Sequence, residues 1–170
     1  MAKMKRKKGK RIPWNKGRKV GQRAPLSLSE VTRVKKMLAK RGDTGLRDRA
    51  LFLTAIDTKL RSHELLGLTV IVVRKRNREM RDTFELTTAR HGHGVRCELS
   101  KITMRVLEKW INQSAKKPND YLFTGRLGEG LTPLSARQFG RLVKTWTEGI
   151  GLGARAYGTE SLRRTGASYR

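Results

Sequence analysis

Two short segments place arginines where they could grip an oxyanion. Leu60-Arg61-Ser62-His63-Glu64-Leu65-Leu66-Gly67-Leu68 and Gly158-Thr159-Glu160-Ser161-Leu162-Arg163-Arg164 lie about a hundred residues apart, and each sets an arginine beside a short apolar pattern of helical spacing. A guanidinium steadied by packed neighbours presents two parallel N–H donors to phosphate oxygens, a geometry the point charge of a lysine does not offer. Two such groups converging on one phosphate would form a clamp. The structural alternative is that Arg61 and Arg163 only cap or pair within the fold, and Glu64, close to Arg61, provides a partner for that.

The charge balance points to the same ligand. The chain carries 40 Lys and Arg against 14 Asp and Glu, a formal charge of +26. Self-repulsion on that scale opposes compaction unless a polyanion screens it, which makes nucleic acid the expected partner. Half of the first twenty residues are Lys or Arg, and no acid precedes Glu30. Lys5, Arg6, Lys7, Lys8, Lys10 and Arg11 are therefore candidate phosphate contacts in a basic arm, disordered when free and releasing counterions when laid along phosphates. A solubilising or localisation tail is the plainer alternative.

Apolar residues make up 36% of the chain and, with 17 glycines, reach the usual globular range of roughly 45–50%. One packed domain plus a tail is the expected organisation: a DNA-binding arm over residues 1–25 and a folded domain over 26–170. A single cysteine, Cys97, excludes a disulfide scaffold within the chain and reads as a small strand residue. No apolar run approaches the roughly 20 residues of a membrane span, and the basic start is not followed by a signal-like apolar stretch.

The elements that must hold the arginines are visible as periodicities. Ser27 with Glu30 has the capping-box form, and Val31, Val34, Met37 and Leu38 follow at helical spacing up to Gly42. A second helix, Leu46 to Leu60, turns Leu46, Ala50, Leu53, Ile56 and Leu60 inward and delivers the chain to Arg61. The β-branched run Leu68 to Val73 predicts a buried strand, and Thr83 to Thr87 with Val95 to Leu99 predicts a hairpin joined by Ala89-Arg90-His91-Gly92-His93-Gly94. Helices resume through Ile102, Val106, Leu107, Trp110 and Ile111, and through Phe139, Leu142, Val143 and Trp146. The expected class is α+β: mostly helical, with a small three-stranded antiparallel sheet.

With these residues in view, the chain resembles the phage-integrase type of tyrosine recombinase. The likeness runs from Val20-Gly21-Gln22-Arg23-Ala24-Pro25-Leu26 through Arg47 to Arg61 and Tyr121-Leu122-Phe123-Thr124-Gly125-Arg126 to the Ser161-Leu162-Arg163-Arg164-Thr165 box. The resemblance implies a recombinase catalytic-domain fold and a scissile phosphate held by Arg61 and Arg163, with Arg164 beside it. It also implies a lysine in the turn between the second and third strands, where Arg90 stands instead. An arginine can hold the phosphate, but its pKa above about 12 makes it a poor proton donor, so His91 or His93 is the alternative acid. The position three residues before the second arginine, usually histidine, is Glu160. A carboxylate there can act as a general base, yet it repels the phosphate unless it is protonated or paired with Arg163 or Arg164; the alternative is a residue favoured at a helix N-terminus by the macrodipole.

The family's tyrosine nucleophile lies some tens of residues beyond the second arginine, and Tyr169 is six residues beyond Arg163. Neither Tyr169, Tyr121 nor Tyr157 matches its place. The expectation is thus a fold lacking its C-terminal helices, with Leu162 and its apolar neighbours exposed, marginal stability and no cleavage by the chain alone. Duplex DNA is the expected partner, with other recombinase protomers as further partners. No metal, no cofactor and no membrane is expected, and the cytoplasm of a bacterium, on bacterial or phage DNA, is the expected location. A non-catalytic DNA-binding regulator or a mobile-element remnant is the competing reading, and a charge-driven RNA binder a third.

Overall fold

The Ser27 hydroxyl accepts from the Glu30 N–H while the Glu30 carboxylate accepts from the Ser27 N–H at 2.7 Å, which starts the first helix, α1 (Leu28–Lys40). The computed structural model describes residues 23–87, 94–125, 132–153 and 156–168. α1 buries Val31, Val34 and Leu38. It ends at Arg41, and Gly42, at φ 57°, reverses the chain into α2 (Gly42–Thr58). That helix begins four residues earlier than the apolar pattern predicts and is buried along most of its length. Gly45 allows the close corner, since a Cβ there would lie 2.7 Å from the Arg41 Cβ.

Lys59, in the left-handed region at φ 57°, breaks α2 and turns the chain into α3 (Ser62–Leu66). Next comes α4 (Val70–Val73), a single helical turn in place of the predicted strand. Only Thr69 forms a β-bridge there, with Tyr121, flanked by the Leu122 N–H to Leu68 carbonyl bond at 2.7 Å. The Val70 and Ile71 N–H groups are drawn instead to the carbonyls of Asp120 and Pro118, at 3.1 and 2.8 Å, which holds the run coiled. A short β-branched run does not distinguish a buried strand from a buried turn.

The sheet consequently has two strands rather than three: β1 (Thr83–Thr87) and β2 (Gly94–Glu98), antiparallel, with Thr83 opposite Glu98 and Thr87 opposite Gly94. Ser100 caps α5 (Lys101–Gln113), which buries Val106, Leu107 and Ile111 and leaves Ile102 at 53% exposure. Ser135 and Gln138 form a second capping box at the start of α6 (Ala136–Glu148), and α7 (Thr159–Ser168) is the last described element.

One hydrophobic core joins α1, α2, α5, α6 and the hairpin, and it includes Leu162 of α7. Leu162 is 1% exposed, so the expectation of an uncovered second box is overturned. The reason is the seat of α7 on α2. A Cβ at Gly166 would collide with the Ile56 carbonyl oxygen and come within 2.9 Å of the Lys59 Cγ, so the two backbones touch where only glycine fits. Residues 23–26 strap across the base of α7: the Leu26 N–H donates to the Thr165 hydroxyl at 2.8 Å, and Arg164 Nη1 to the Arg23 carbonyl at 2.8 Å.

Candidate phosphate-binding site

The first box is fixed by the turn at its start. Arg61 stands at the N-cap of α3 in an extended conformation, φ −69° and ψ 156°, while Leu60, Leu65 and Leu66 are buried around it. The Glu64 carboxylate accepts from the Arg61 backbone N–H at 2.8 Å. It therefore engages the main chain and leaves the charged end of Arg61 alone. Among the described residues the half-buried Arg61 guanidinium has no hydrogen bond and no ion pair. A cation partly removed from water without a counter-charge is unfavourable, and an incoming anion would relieve that cost.

The second box differs. Arg163 Nη1 lies 2.8 Å from Glu160 Oε1, a pair one helical turn apart with side chains 40% and 50% exposed. At that exposure it contributes little to stability and opens easily. Arg164 is committed through Nη1 to the Arg23 carbonyl, and Arg23 in turn donates to the Tyr157 carbonyl at 2.7 Å. Arg163 sits one turn before Gly166, the point where α7 meets the end of α2, and Arg61 follows Lys59 of that same junction by two residues. Both boxes thus spring from one contact between helices.

Behind the junction lies β2. The Cys97 sulfur is 3.9 Å from the Thr58 carbonyl oxygen, and burial, aided by the nearby Glu64 carboxylate, pushes the thiol up to about 11. The folded value exceeds the unfolded one, so the protonated thiol contributes stability that is lost as pH rises towards 11. Native protein should leave Cys97 unalkylated by iodoacetamide at pH 8, with full labelling in denaturant. Rapid labelling of native protein would show the junction to be open.

Lys5, Arg6, Lys7, Lys8, Lys10, Arg11, Arg90, His91, His93 and Tyr169 lie outside the described residues. Among the described residues no cluster of three or more His, Cys, Asp or Glu could hold a metal ion. No helix among them is long and apolar enough to cross a membrane. Sequence reasoning passed over one group of cations, Arg74 to Arg78 with Lys116 and Lys117, although the string Arg-Lys-Arg-Asn-Arg was open to view.

Comparison with known proteins decides the lineage of this arrangement. The family model described as "Phage integrase family" matches residues 23–169. The chain belongs to the phage integrase family. No curated protein matches it at a significant level. Among solved structures, this integrase-family chain is similar to XerA recombinase, with a TM-score of 0.68 and 17% identity over 86% of this chain and 50% of that one. It is similar also to XerH site-specific recombinase bound to its difH substrate in a pre-cleavage complex, with a TM-score of 0.67 and 20% identity over 85% of this chain and 42% of that one. A third likeness is to the Tn1549 transposon integrase in complex with circular intermediate DNA, with a TM-score of 0.61 and 18% identity over 85% and 51% of the two chains. At these identities the fold is what is shared. The chain spans about half the length of these structures, or less.

Proposed function

We propose that the chain is a duplex-DNA-binding member of the phage integrase family, associated with DNA integration and site-specific recombination, in which Arg61 and Arg163 hold one phosphodiester. The observation that carries this reading is the Arg61 guanidinium, half-buried and without an anionic partner among the described residues, at the junction that also bears α7. Arg90, at the hairpin position where the family has lysine, is the third candidate phosphate contact. Residues 1–22 act as a basic arm that tracks the backbone, the expected 1–25 arm giving up residues 23–25 to the strap over α7 of the folded domain, and Arg164 supports the clamp from beside it. The XerH and Tn1549 integrase structures were each obtained with DNA bound, which agrees with DNA as the ligand here.

In this reading the 170 residues hold the phosphate without cutting the strand. Glu160, where the family has histidine, pairs with Arg163 and sets a negative charge beside the phosphate. The Tyr157 hydroxyl lies 3.5 Å from Glu30 Oε1. Burial and the Glu30 carboxylate raise the Tyr157 phenol above its ordinary pKa, which disfavours the phenolate a nucleophile needs.

Incubation with a nicked suicide duplex should give retained binding and no covalent protein–DNA band. A covalent band that disappears in Tyr169→Phe would contradict the reading. Glu160→Gln should tighten DNA binding by about threefold, in line with the small worth of an exposed pair, because Arg163 is released and a like charge is removed. Unchanged or weaker binding would place Arg163 away from the phosphate.

A further inference from the structure

A second concentration of unanswered charge is formed by residues outside the two boxes. After α4 the chain doubles back: Lys75 N–H donates to the Glu79 carbonyl at 2.8 Å, Arg78 N–H to the Lys75 carbonyl at 3.0 Å, and Arg74 bridges to Met80. From Glu79 the chain runs on into β1. This turn therefore stands at the Thr83 end of the hairpin.

Facing the turn is the segment after α5, and between them lies a cavity of about 440 Å³ lined by Arg74, Lys75, Arg76, Arg78, Lys116 and Lys117. Among the described residues only Lys75 of these six meets a carboxylate in an ion pair, with Glu79 at 3.0 Å. Arg74 is held by neutral acceptors, through Nε to the Arg78 carbonyl at 2.8 Å and through Nη1 to Asn112 Oδ1 at 3.0 Å. Lys116 donates to the Thr124 hydroxyl at 3.2 Å and sits 5.7 Å from the centre of the Trp110 ring. Burial lowers its pKa against the opposing pull of Asp120. The side chains of Arg76, Arg78 and Lys117 have no hydrogen bond or ion pair among the described residues.

Both walls of the cavity also contain a non-glycine residue in the left-handed region, Arg78 at φ 70° and Ala115 at φ 49°. Such conformations persist where the surroundings enforce them, and they gather at binding sites. Ile71, 38% exposed, adds an apolar surface suited to a sugar. The ligand that answers several cations spaced along two turns, with an apolar patch between, is a sugar-phosphate backbone.

We propose that this cavity is a second DNA site, taking backbone phosphates other than the one held at Arg61 and Arg163. It rests on the reading that the chain binds DNA, and it adds where else the chain grips. Arg76 and Lys117 are the residues to alter, because both are exposed and neither supports the fold.

The test compares full-length wild type, Arg76→Gln/Lys117→Gln and Arg61→Gln/Arg163→Gln, titrated with one duplex of mixed sequence between about 50 and 200 mM salt. Losing two phosphate contacts should flatten the slope of log K against log salt by about 1.8. Thermal unfolding should not change. An unaltered slope overturns the proposal. Backbone amide shifts of Asn112 and Ala115 distinguish the phosphate source: movement with the duplex supports the site, and movement with inorganic phosphate alone, but not with duplex, overturns it as a DNA site. If the Arg61/Arg163 variant binds as wild type while Arg76→Gln/Lys117→Gln still flattens the slope, the clamp reading fails and this site stands.

Discussion

Trp146→Ala should remove roughly 3–5 kcal/mol of stability, the usual cost of emptying a large aromatic site in a core. Trp146 is fully buried, with its ring edge-on to Phe52 at 5.7 Å and 88° and to Phe139 at 6.3 Å and 63°. It ties α6 to α2 by shape. It also donates from Nε1 to Asp48 Oδ2 at 3.2 Å, and Asp48 is itself buried, its other oxygen 2.8 Å from Arg47 Nη2. Truncation therefore leaves both a cavity and a buried carboxylate short of a donor. Against a total stability of about 5–15 kcal/mol for an ordinary domain, that is a large share. Urea unfolding should show the midpoint falling with little change in slope. Trp146→Phe separates the two contributions, keeping most of the volume and losing the hydrogen bond, for about 1–2 kcal/mol. A Trp146→Ala midpoint close to wild type would mean that α6 is not anchored to α2 through this residue.

The parts that position the arginines were legible to different degrees, for physical reasons. The first capping box is local chemistry between Ser27 and Glu30, and the sequence states it outright. The long α2 follows from its apolar spacing, although its true start at Gly42 depends on the corner with α1, a tertiary matter. The run from Leu68 to Val73 was misread because its backbone partners, Pro118 and Asp120, are nearly fifty residues away. The burial of Leu162 was missed for a similar reason. Gly166 looks like a helix-weakening residue until the Ile56 carbonyl is found against it. Pairing of Glu160 with Arg163 was readable from a spacing of three on a helix, whereas the idle state of the Arg61 guanidinium was not, since the nearby Glu64 suggested a partner that turned out to serve the main chain.

The second large effect concerns DNA. Arg61→Gln should weaken duplex binding about thirtyfold, the counterpart of roughly 2 kcal/mol for losing one charged partner in a partly buried contact. Arg163→Gln should lose less, because Arg163 first gives up Glu160, which offsets part of what the phosphate supplies. Neither change should alter unfolding by more than about 0.5 kcal/mol, since the Arg61 guanidinium has no partner among the described residues and the Arg163 pair is exposed. Should either variant unfold readily, its arginine would be a structural residue.

The measurement that bears most directly on the clamp is a double-mutant cycle over Arg61→Gln and Arg163→Gln, read as duplex-binding free energy at one fixed salt concentration. If both guanidiniums hold one phosphodiester, the double variant should bind little worse than Arg61→Gln alone, with a coupling between about 0.5 and 3 kcal/mol. Losses that add to within about 0.3–0.5 kcal/mol would assign the two arginines to separate phosphates and contradict the shared site.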